Sequence, residues 1–215
     1  MATDLPEDKK TLEQRPRNTW INGGDTILVD SPHFSVIQRN CISSEDAEKK
    51  FPFYLFQTRD WCNIIPITED GKIVMVNQFR IGVELHTLEI PGGVIDPEDK
   101  DYQTAAIREM EEETGYSALP GAKCIHLGWT YPNPALLNNK THSFVIGPVK
   151  KSKDQNLDPG EMIEVIEVPI QDLPEHIQKG TINHALILNA FFLLALKDDE
   201  ISSSLVRRLK EFSLF

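Results

Sequence analysis

The sequence predicts a mixed α/β fold, in which helices pack on a mixed β-sheet. Strand-like segments fill the first part of the chain, a strongly helical segment follows, and further strands precede the last helices. This order lacks the regular strand–helix–strand alternation of a doubly wound parallel sheet, and no internal repeat is visible. The 215 residues suffice for one large domain, or for one domain with a small extra lobe.

The strand predictions come from runs of β-branched and aromatic residues that are bounded by turn residues. The turn "EDG" at 69–71 predicts a hairpin, and "PGG" at 91–93 is expected to stop the strand before it. Strands are predicted at 25–31, 34–43, 51–58, 61–68, 72–79, 85–90, 123–130, 141–149 and 162–170.

Helical patterns appear later in the chain. The pattern from Asp101 to Glu113 is helical, and Gly115 is well placed to end that helix. Further helices are predicted within 170–180, at 183–197, where the residues are strongly apolar, and at 203–212. We therefore divide the chain into a polar arm at 1–18, a β-lobe at 19–58 and a main domain at 59–215.

Composition excludes several classes of protein. The net charge of −11 disfavours nucleic-acid and anionic-lipid partners, and "KKSK" at 150–153 is interpreted as a solvated loop. Three cysteines with no CxxC pair argue against a disulfide framework or a zinc site. The apolar run at 185–196 is shorter than the ~20 residues that span a bilayer, and the start of the chain does not resemble a signal peptide. We expect a soluble, cytoplasmic protein without nucleic-acid or membrane partners.

The segment "AAIREMEEETGY" at 105–116 concentrates negative charge. On a helix, Glu109, Glu112 and Glu113 share one face, and Glu111 points nearly the opposite way. No lysine lies at i+4 to relieve the repulsion, and the acids stand at the helix C-terminus, where the macrodipole disfavours anions. A divalent cation would remove both penalties, and ligands that are all oxygen suit Mg²⁺ or Mn²⁺. A solvated acidic helix face is the alternative.

Two glycines precede this helix. Gly92 and Gly93 let the backbone approach closely, so that a main-chain carbonyl can join the coordination sphere. A carboxylate-bound Mg²⁺ near a glycine-rich turn usually meets phosphate oxygens. The pattern therefore points to metal-assisted cleavage of a phosphoanhydride.

Residues 92–116 resemble the Nudix box. In that pattern a glycine, five residues, a glutamate and seven residues precede R-E-U-x-E-E-x-G-U, where U is bulky and apolar. The second half matches from Arg108 to Tyr116. In the first half, Asp99 replaces the glutamate, Glu98 stands beside it, and eight residues rather than seven precede the arginine. The acid that pairs with Arg108 is therefore left open.

The resemblance extends beyond the box. Residues 60–93 and 160–194 are similar to ADP-ribose and nucleoside-diphosphate-sugar pyrophosphatases. This resemblance implies an α/β/α sandwich with a small N-terminal β-lobe that forms a homodimer. It also implies Mg²⁺-dependent hydrolysis of a nucleotide sugar to a nucleoside monophosphate and a sugar phosphate. Hydrolysis of nucleoside triphosphates or dinucleotides is the first alternative, and a non-catalytic nucleotide-sugar sensor is the second.

The resemblance also implies roles for single residues. Glu109 and Glu113 stand as principal metal ligands, Glu112 shares the site, and Arg108 orients the acids. A further glutamate, which binds metal or activates water, is assigned to Glu161, with Glu164 and Asp158 as alternatives. The metal ligands are then Gly92, Glu109, Glu112, Glu113 and Glu161, and the catalytic residues are Glu112, Glu113, Glu161 and Arg108.

Substrate-binding residues are assigned outside the box. Arg80 matches an arginine that contacts substrate phosphate. Glu89, just before the box, is also assigned to substrate binding. "NPALLNN" at 133–139 departs from the ADP-ribose pattern, in which Pro-Gly precedes a glutamate. Its amides Asn138 and Asn139 are candidates for binding a base or sugar hydroxyls. An asparagine-rich turn is the alternative.

Overall fold

The structure is a computed structural model that describes residues 18–197. The chain divides after Gln57 into two compact units. The predicted arm at 1–18, apart from its last residue, and the predicted helix at 203–212 lie outside the described residues.

The first unit contains a three-stranded sheet in the order β1-β2-β3. The strands are β1 (Trp20–Asp30), β2 (Phe34–Ser43) and β3 (Lys50–Thr58). The first strand begins earlier than the predicted residue 25, because a register shift between Asn22 and Asp25 accommodates the Gly23–Gly24 pair. Every residue of β1 is exposed, although the strand contains several large apolar side chains.

The second unit is built on a seven-stranded sheet. Its central order is β10-β5-β4-β9-β8, with β6 paired to β5 and β7 paired to β4. The pair β4–β9 is parallel and the pair β4–β5 is antiparallel, which confirms a mixed sheet. The strands are β4 (Trp61–Thr68), β5 (Lys72–Arg80), β6 (Leu85–Glu89), β7 (Gly92–Val94), β8 (Tyr116–Thr130), β9 (Thr141–Lys151) and β10 (Ile163–Pro169).

Two of these strands differ from the sequence prediction. Strand β6 ends at Glu89, before Pro91 as predicted, but Gly92–Val94 then forms the short strand β7, which was not predicted and in which Gly92 lies opposite Asn63. Strand β8 begins at Tyr116 rather than at 123. The pair Pro120–Gly121 is typical of turns, but a register shift between Ala118 and Lys123 accommodates both residues within the strand.

Three helices follow the predicted order. They are α1 (Tyr102–Thr114), α2 (Leu173–Gln178) and α3 (Ala185–Ala195), and a 3₁₀ turn (Ile170–Asp172) leads into α2. Among the described residues, no helix is long and apolar enough to cross a membrane.

Both ends of α1 are capped. Asp101 accepts a hydrogen bond from the Thr104 amide at 2.8 Å, and Gly115 ends the helix with a φ of 70°. Lys151 Nζ donates to the Thr114 carbonyl oxygen at 2.8 Å, and Lys153 Nζ lies 2.7 Å from the Glu111 carboxylate. The interpretation of 150–153 as a solvated loop is therefore wrong for these two lysines, which compensate the negative C-terminal end of α1.

Helices cover both faces of the large sheet. Ile64 belongs to the cluster that contains Met110 of α1, whereas the next residue, Ile65, belongs to the cluster that contains Phe191 and Leu194 of α3. Successive strand residues point to opposite faces, so α1 lies on one face and α3 on the other. This arrangement confirms the predicted α/β/α sandwich.

Candidate active site

Strand β7 brings its two glycines directly under the acidic face of α1. A Cβ atom at Gly93 would lie 2.7 Å from the Glu109 carboxylate, and one at Gly92 would lie 2.3 Å from the Cys62 carbonyl oxygen. Only glycine permits so close an approach of backbone and carboxylate. The Gly92 amide donates to the Glu113 carboxylate at 2.9 Å. The structure therefore brings together Gly92, Glu109 and Glu113, and their role as metal ligands stays a prediction.

Glu109 and Glu113 are acids in an unfavourable environment. The side chain of Glu109 is 12% exposed, and Glu113 is only 3% exposed. Burial raises the pKa of Glu109 to about 7, although Arg108 beside it acts in the opposite direction. Burial also raises the pKa of Glu113 well above its usual value, and the hydrogen bond from Gly92 offsets this in part. A solvated acidic face, the alternative for α1, does not describe these two residues.

Arg108 organises the acids around it. Its Nε and Nη2 atoms donate to both carboxylate oxygens of Asp99, at 3.1 and 2.9 Å. Its Nη1 atom lies 2.9 Å from Glu112 and 3.0 Å from Glu109. Asp99 is therefore the partner that the sequence left open. Asp99 Oδ2 also accepts a hydrogen bond from the Asp96 amide at 2.9 Å, which closes the turn before Asp99.

Glu161 lies in the turn before β10. Its carboxylate accepts a hydrogen bond from the Asp158 amide at 2.9 Å, and its charge raises the pKa of Glu109 and of Glu113 after the larger effect of burial. Glu164, in contrast, accepts a hydrogen bond from Asn77 on the neighbouring strand at 3.0 Å. The geometry therefore favours Glu161 over Glu164 as the further acid of the site.

These residues fit a divalent cation chemically. The donors are carboxylates and a glycine carbonyl, which are the ligands of hard cations, and burial makes the charged form of Glu109 and Glu113 unfavourable unless a cation compensates it. Within residues 18–197, no three His, Cys, Asp or Glu side chains already converge on one point. Glu109 and Glu112 are held by Arg108, and Glu161 is held within its own turn.

A cavity of about 800 Å³ opens beside these residues, and Gly92, Gly93 and Arg80 contribute to its lining. We call Gly92, Gly93, Glu109 and Glu113 the acidic wall. Within the same cavity, Arg80 Nε and Nη2 each lie 2.7 Å from a carboxylate oxygen of Glu89.

Glu89 fixes the direction of this guanidinium. It is 2% exposed and accepts a further hydrogen bond from Thr87. Burial favours a high pKa for Glu89, but Arg80 outweighs it and keeps the pKa below its usual value. Arg80, whose side chain is 42% exposed, thus stays charged and points toward the cavity with its position set by a buried anion.

Another part of the cavity lining was not predicted from the sequence. Asn63, Thr141 and His184, together called the neutral wall, line the cavity from β4, β9 and the start of α3. The one sequence signal was an amide, Asn63, within the apolar run of β4.

Comparison with known proteins identifies the family. A family model described as NUDIX domain matches residues 58–191, more than half of the chain. The chain belongs to the Nudix hydrolase family. Nudix hydrolases generally depend on a divalent metal ion.

Several named proteins are similar to this chain. An ADP-ribose pyrophosphatase of Bacillus subtilis (strain 168) is 32% identical over 136 residues, which cover 63% of this chain and 71% of that protein. An ADP-sugar pyrophosphatase of Mus musculus is 31% identical over 131 residues, covering 54% of this chain and 56% of that one. A crystal structure of an ADP compounds hydrolase superposes with a TM-score of 0.69 at 22% identity, covering 83% and 92% of the two chains, which shows the Nudix fold alone.

Two predicted substrate ligands lie elsewhere in the Nudix domain. The Asn138 side-chain oxygen accepts a hydrogen bond from the Thr58 amide at 3.2 Å, and Asn139 Nδ2 donates to the Arg59 carbonyl oxygen at 3.1 Å. Neither lines the cavity, and Asn139 is 2% exposed. Their contacts fasten the start of β4, so the geometry favours the asparagine-rich turn, and substrate binding by these amides stays a prediction.

Proposed function

We propose that the protein hydrolyses the diphosphate of a nucleoside diphosphate linked to a sugar, of the ADP-ribose type, with Mg²⁺ as the preferred ion. The products are a nucleoside monophosphate and a sugar phosphate. The observation that carries this proposal is one cavity lined by Gly92 and Gly93, against which Glu109 and Glu113 pack, and by the Glu89-anchored Arg80. The names of the relatives, an ADP-ribose pyrophosphatase and an ADP-sugar pyrophosphatase, support the substrate class.

The chain supplies the ligands for the ion. Glu109, Glu112, Glu113, Glu161 and the Gly92 carbonyl would hold Mg²⁺, and Arg108 keeps two of these carboxylates in place through its 2.9 and 3.0 Å contacts. When bound, Mg²⁺ neutralises charge on the phosphate oxygens and lowers the pKa of bound water.

The remaining residues bind the substrate and move a proton. Arg80 donates hydrogen bonds to phosphate oxygens, and Glu89 limits the reorganisation that this requires. The Glu161 carboxylate, held in a turn, accepts the proton of the water that attacks phosphorus in line. Burial raises the pKa of Cys62 to about 12, so this cavity thiol stays protonated and is not a nucleophile.

A substrate screen tests the proposal. Purified protein is incubated with ADP-ribose, other nucleotide sugars, dinucleotides and nucleoside triphosphates, with Mg²⁺ and with chelator, and the products are separated by anion-exchange chromatography. We expect Mg²⁺-dependent formation of a nucleoside monophosphate and a sugar phosphate. Cleavage of triphosphates or dinucleotides alone would favour the first alternative. Tight binding of nucleotide sugars without cleavage would favour a sensor.

The β-lobe supports a further proposal, a homodimer. Strand β1 is exposed along its whole length, and Trp20, Ile27 and Phe51 of the lobe are 41%, 62% and 55% exposed. Exposed apolar residues concentrated on one small sheet are typical of a protein interface. Sedimentation equilibrium should give twice the chain mass, and Ile27→Glu should shift the protein to monomer. A monomeric wild-type protein at micromolar concentration would overturn this proposal.

A cytoplasmic location is proposed as well. Cys41, Cys62 and Cys124 are free thiols, and two of them are buried. Free cysteines suit a reducing compartment. Fractionation of cells that express the tagged protein tests this location, and recovery outside the cytoplasmic fraction would contradict it.

A further inference from the structure

The neutral wall lies on the face of the sheet that α3 covers. Ile65 and Val145 pack with α3, and side chains of one strand face the same way at every second position. Asn63 of β4 and Thr141 of β9 therefore point toward α3. They line the cavity together with the first residues of that helix, at 184–187.

Two oxygen atoms of this wall have no hydrogen-bond partner. Asn63 Oδ1 and Thr141 Oγ1 are buried and unpartnered within the part of the chain that the structure describes, and the two residues are 4% and 1% exposed. Asn63 cannot turn its amide over at no cost, because Nδ2 faces the Leu186 carbonyl oxygen at 3.5 Å. Buried polar atoms without a partner are rare in native proteins and are unfavourable unless a ligand satisfies them.

The helix end adds a donor. His184 Nδ1 accepts a hydrogen bond from the Leu186 amide at 3.2 Å, so the proton of the neutral ring lies on Nε2. Burial lowers the pKa of His184, which favours this neutral form. Among residues 18–197 no hydrogen bond is made by Nε2, although the residue lines the cavity. The neutral wall therefore combines one free N–H donor with two free acceptors, one of which is a hydroxyl.

This combination discriminates between two kinds of ligand. A phosphate group offers only acceptor oxygens near neutral pH, so its negative charge would face the unpartnered carbonyl of Asn63. A sugar hydroxyl both donates and accepts, so neighbouring hydroxyls satisfy the donor and the acceptors together. We propose that Asn63, Thr141 and His184 form a subsite for the hydroxyl groups of the substrate's sugar half. This inference rests on the proposed function, which places the diphosphate at the acidic wall and Arg80.

Matched variants isolate the subsite. Thr141→Val removes one hydroxyl and keeps the shape, and since Oγ1 has no protein partner, its unfolding midpoint should not fall. His184→Asn keeps a residue that caps helices well but withdraws the Nε2 donor. Thr130→Val is the control, because Thr130 lies directly opposite Thr141 on β8 and does not line the cavity.

Kinetics supply the first measurement. kcat and KM are determined for ADP-ribose and for an ADP ester of a short alkyl alcohol, which carries the same diphosphate without sugar hydroxyls. We expect Thr141→Val and His184→Asn each to lower the ratio of the two kcat/KM values by about 3- to 10-fold, mainly through KM for ADP-ribose. The Thr130→Val ratio should equal that of the wild type. An unchanged ratio in both subsite variants would overturn the inference.

Binding of products separates this inference from the proposed function. Calorimetry without turnover compares ribose 5-phosphate with inorganic phosphate. We expect the subsite variants to weaken ribose 5-phosphate by about 3- to 10-fold and inorganic phosphate less. Equal weakening of both ligands would indicate an anion site and overturn the inference. If the wild type binds the sugar phosphate in this way but cleaves no nucleotide sugar, the subsite stands and the proposed reaction fails.

Discussion

The acidic wall and the neutral wall are built on opposite principles. The acidic wall packs Glu109 and Glu113 against glycine backbone, and burial raises the pKa of both carboxyls. The neutral wall carries no formal charge, and two of its oxygen atoms lack a partner. In the first wall the charged form of the carboxyls is unfavourable, and in the second wall two hydrogen-bond acceptors are unsatisfied. Each kind of cost indicates the ligand that relieves it, a cation for the first wall and hydroxyls for the second.

This difference implies that the acidic wall acts on the reaction and the neutral wall on substrate binding. Removing a charge from the acidic wall acts on the reacting phosphate, where electrostatic stabilisation is usually the largest contribution to rate. Removing one hydrogen-bonding group from the neutral wall affects a single neutral contact, which is worth far less. The walls should therefore respond to substitution on different scales and in different kinetic constants.

The largest effect is expected at Glu113. Glu113→Gln keeps the size of the side chain but removes the buried charge, so kcat should fall about 10³-fold, with the fold retained. Circular dichroism and thermal unfolding monitor the fold, and steady-state kinetics at saturating Mg²⁺ measure the loss.

Glu111→Gln on the same helix is the matched control. Glu111 pairs with Lys153 away from the acidic wall, at 2.7 Å, and exposed pairs of this kind contribute about 1 kcal/mol or less. Its kcat should stay near the wild-type value. Equal losses in the two variants would show that α1 needs negative charge in general, and the special role of Glu113 would have to be abandoned.

The acidic wall was predictable because its pattern is local. Helix periodicity alone places Glu109, Glu112 and Glu113 on one face, and the resemblance to the box assigns the glycine beside them. The partner of Arg108 was not predictable, since a turn of unknown shape decides whether Asp99 reaches the guanidinium.

The neutral wall was not predictable because its residues meet only in the folded sheet. Asn63 and Thr141 are 78 positions apart in the printed sequence, and each looks like an ordinary strand residue. Strand β7 was missed for a related reason: Pro91 suggests a break, but the pairing of Gly92 with Asn63 is supplied by another strand. The roles of Lys151 and Lys153 at α1 also depend on contacts with residues that lie 37 and 42 positions earlier in the sequence.

A smaller effect is expected at Gly93. In Gly93→Ala the new Cβ would lie 2.7 Å from the Glu109 carboxylate, which is the end of a flexible side chain and can move aside. Mg²⁺ affinity should fall about 10-fold, while the unfolding midpoint changes little. Gly82→Ala, where nothing lies within 4 Å of the new Cβ, should leave Mg²⁺ affinity unaltered. Unchanged Mg²⁺ binding in Gly93→Ala would remove Glu109 from the ligand set.

The smallest effect is a pH slope that only the acidic wall produces. Glu109 has a pKa of about 7 in the folded, metal-free protein and 4.5 as its ordinary value, so folding takes up a proton between these values. Its contribution to stability is complete below pH 4.5 and is lost as the pH rises through 7. Between pH 6.5 and 8.0 the free energy of unfolding of chelator-treated protein should fall by about 1 kcal/mol, and Glu113 adds in the same direction. Urea unfolding at these two pH values measures the slope. Glu109→Gln should make the slope shallower and Thr141→Val should keep it, and an identical slope in all three proteins would mean that the two walls do not differ in their titrating groups.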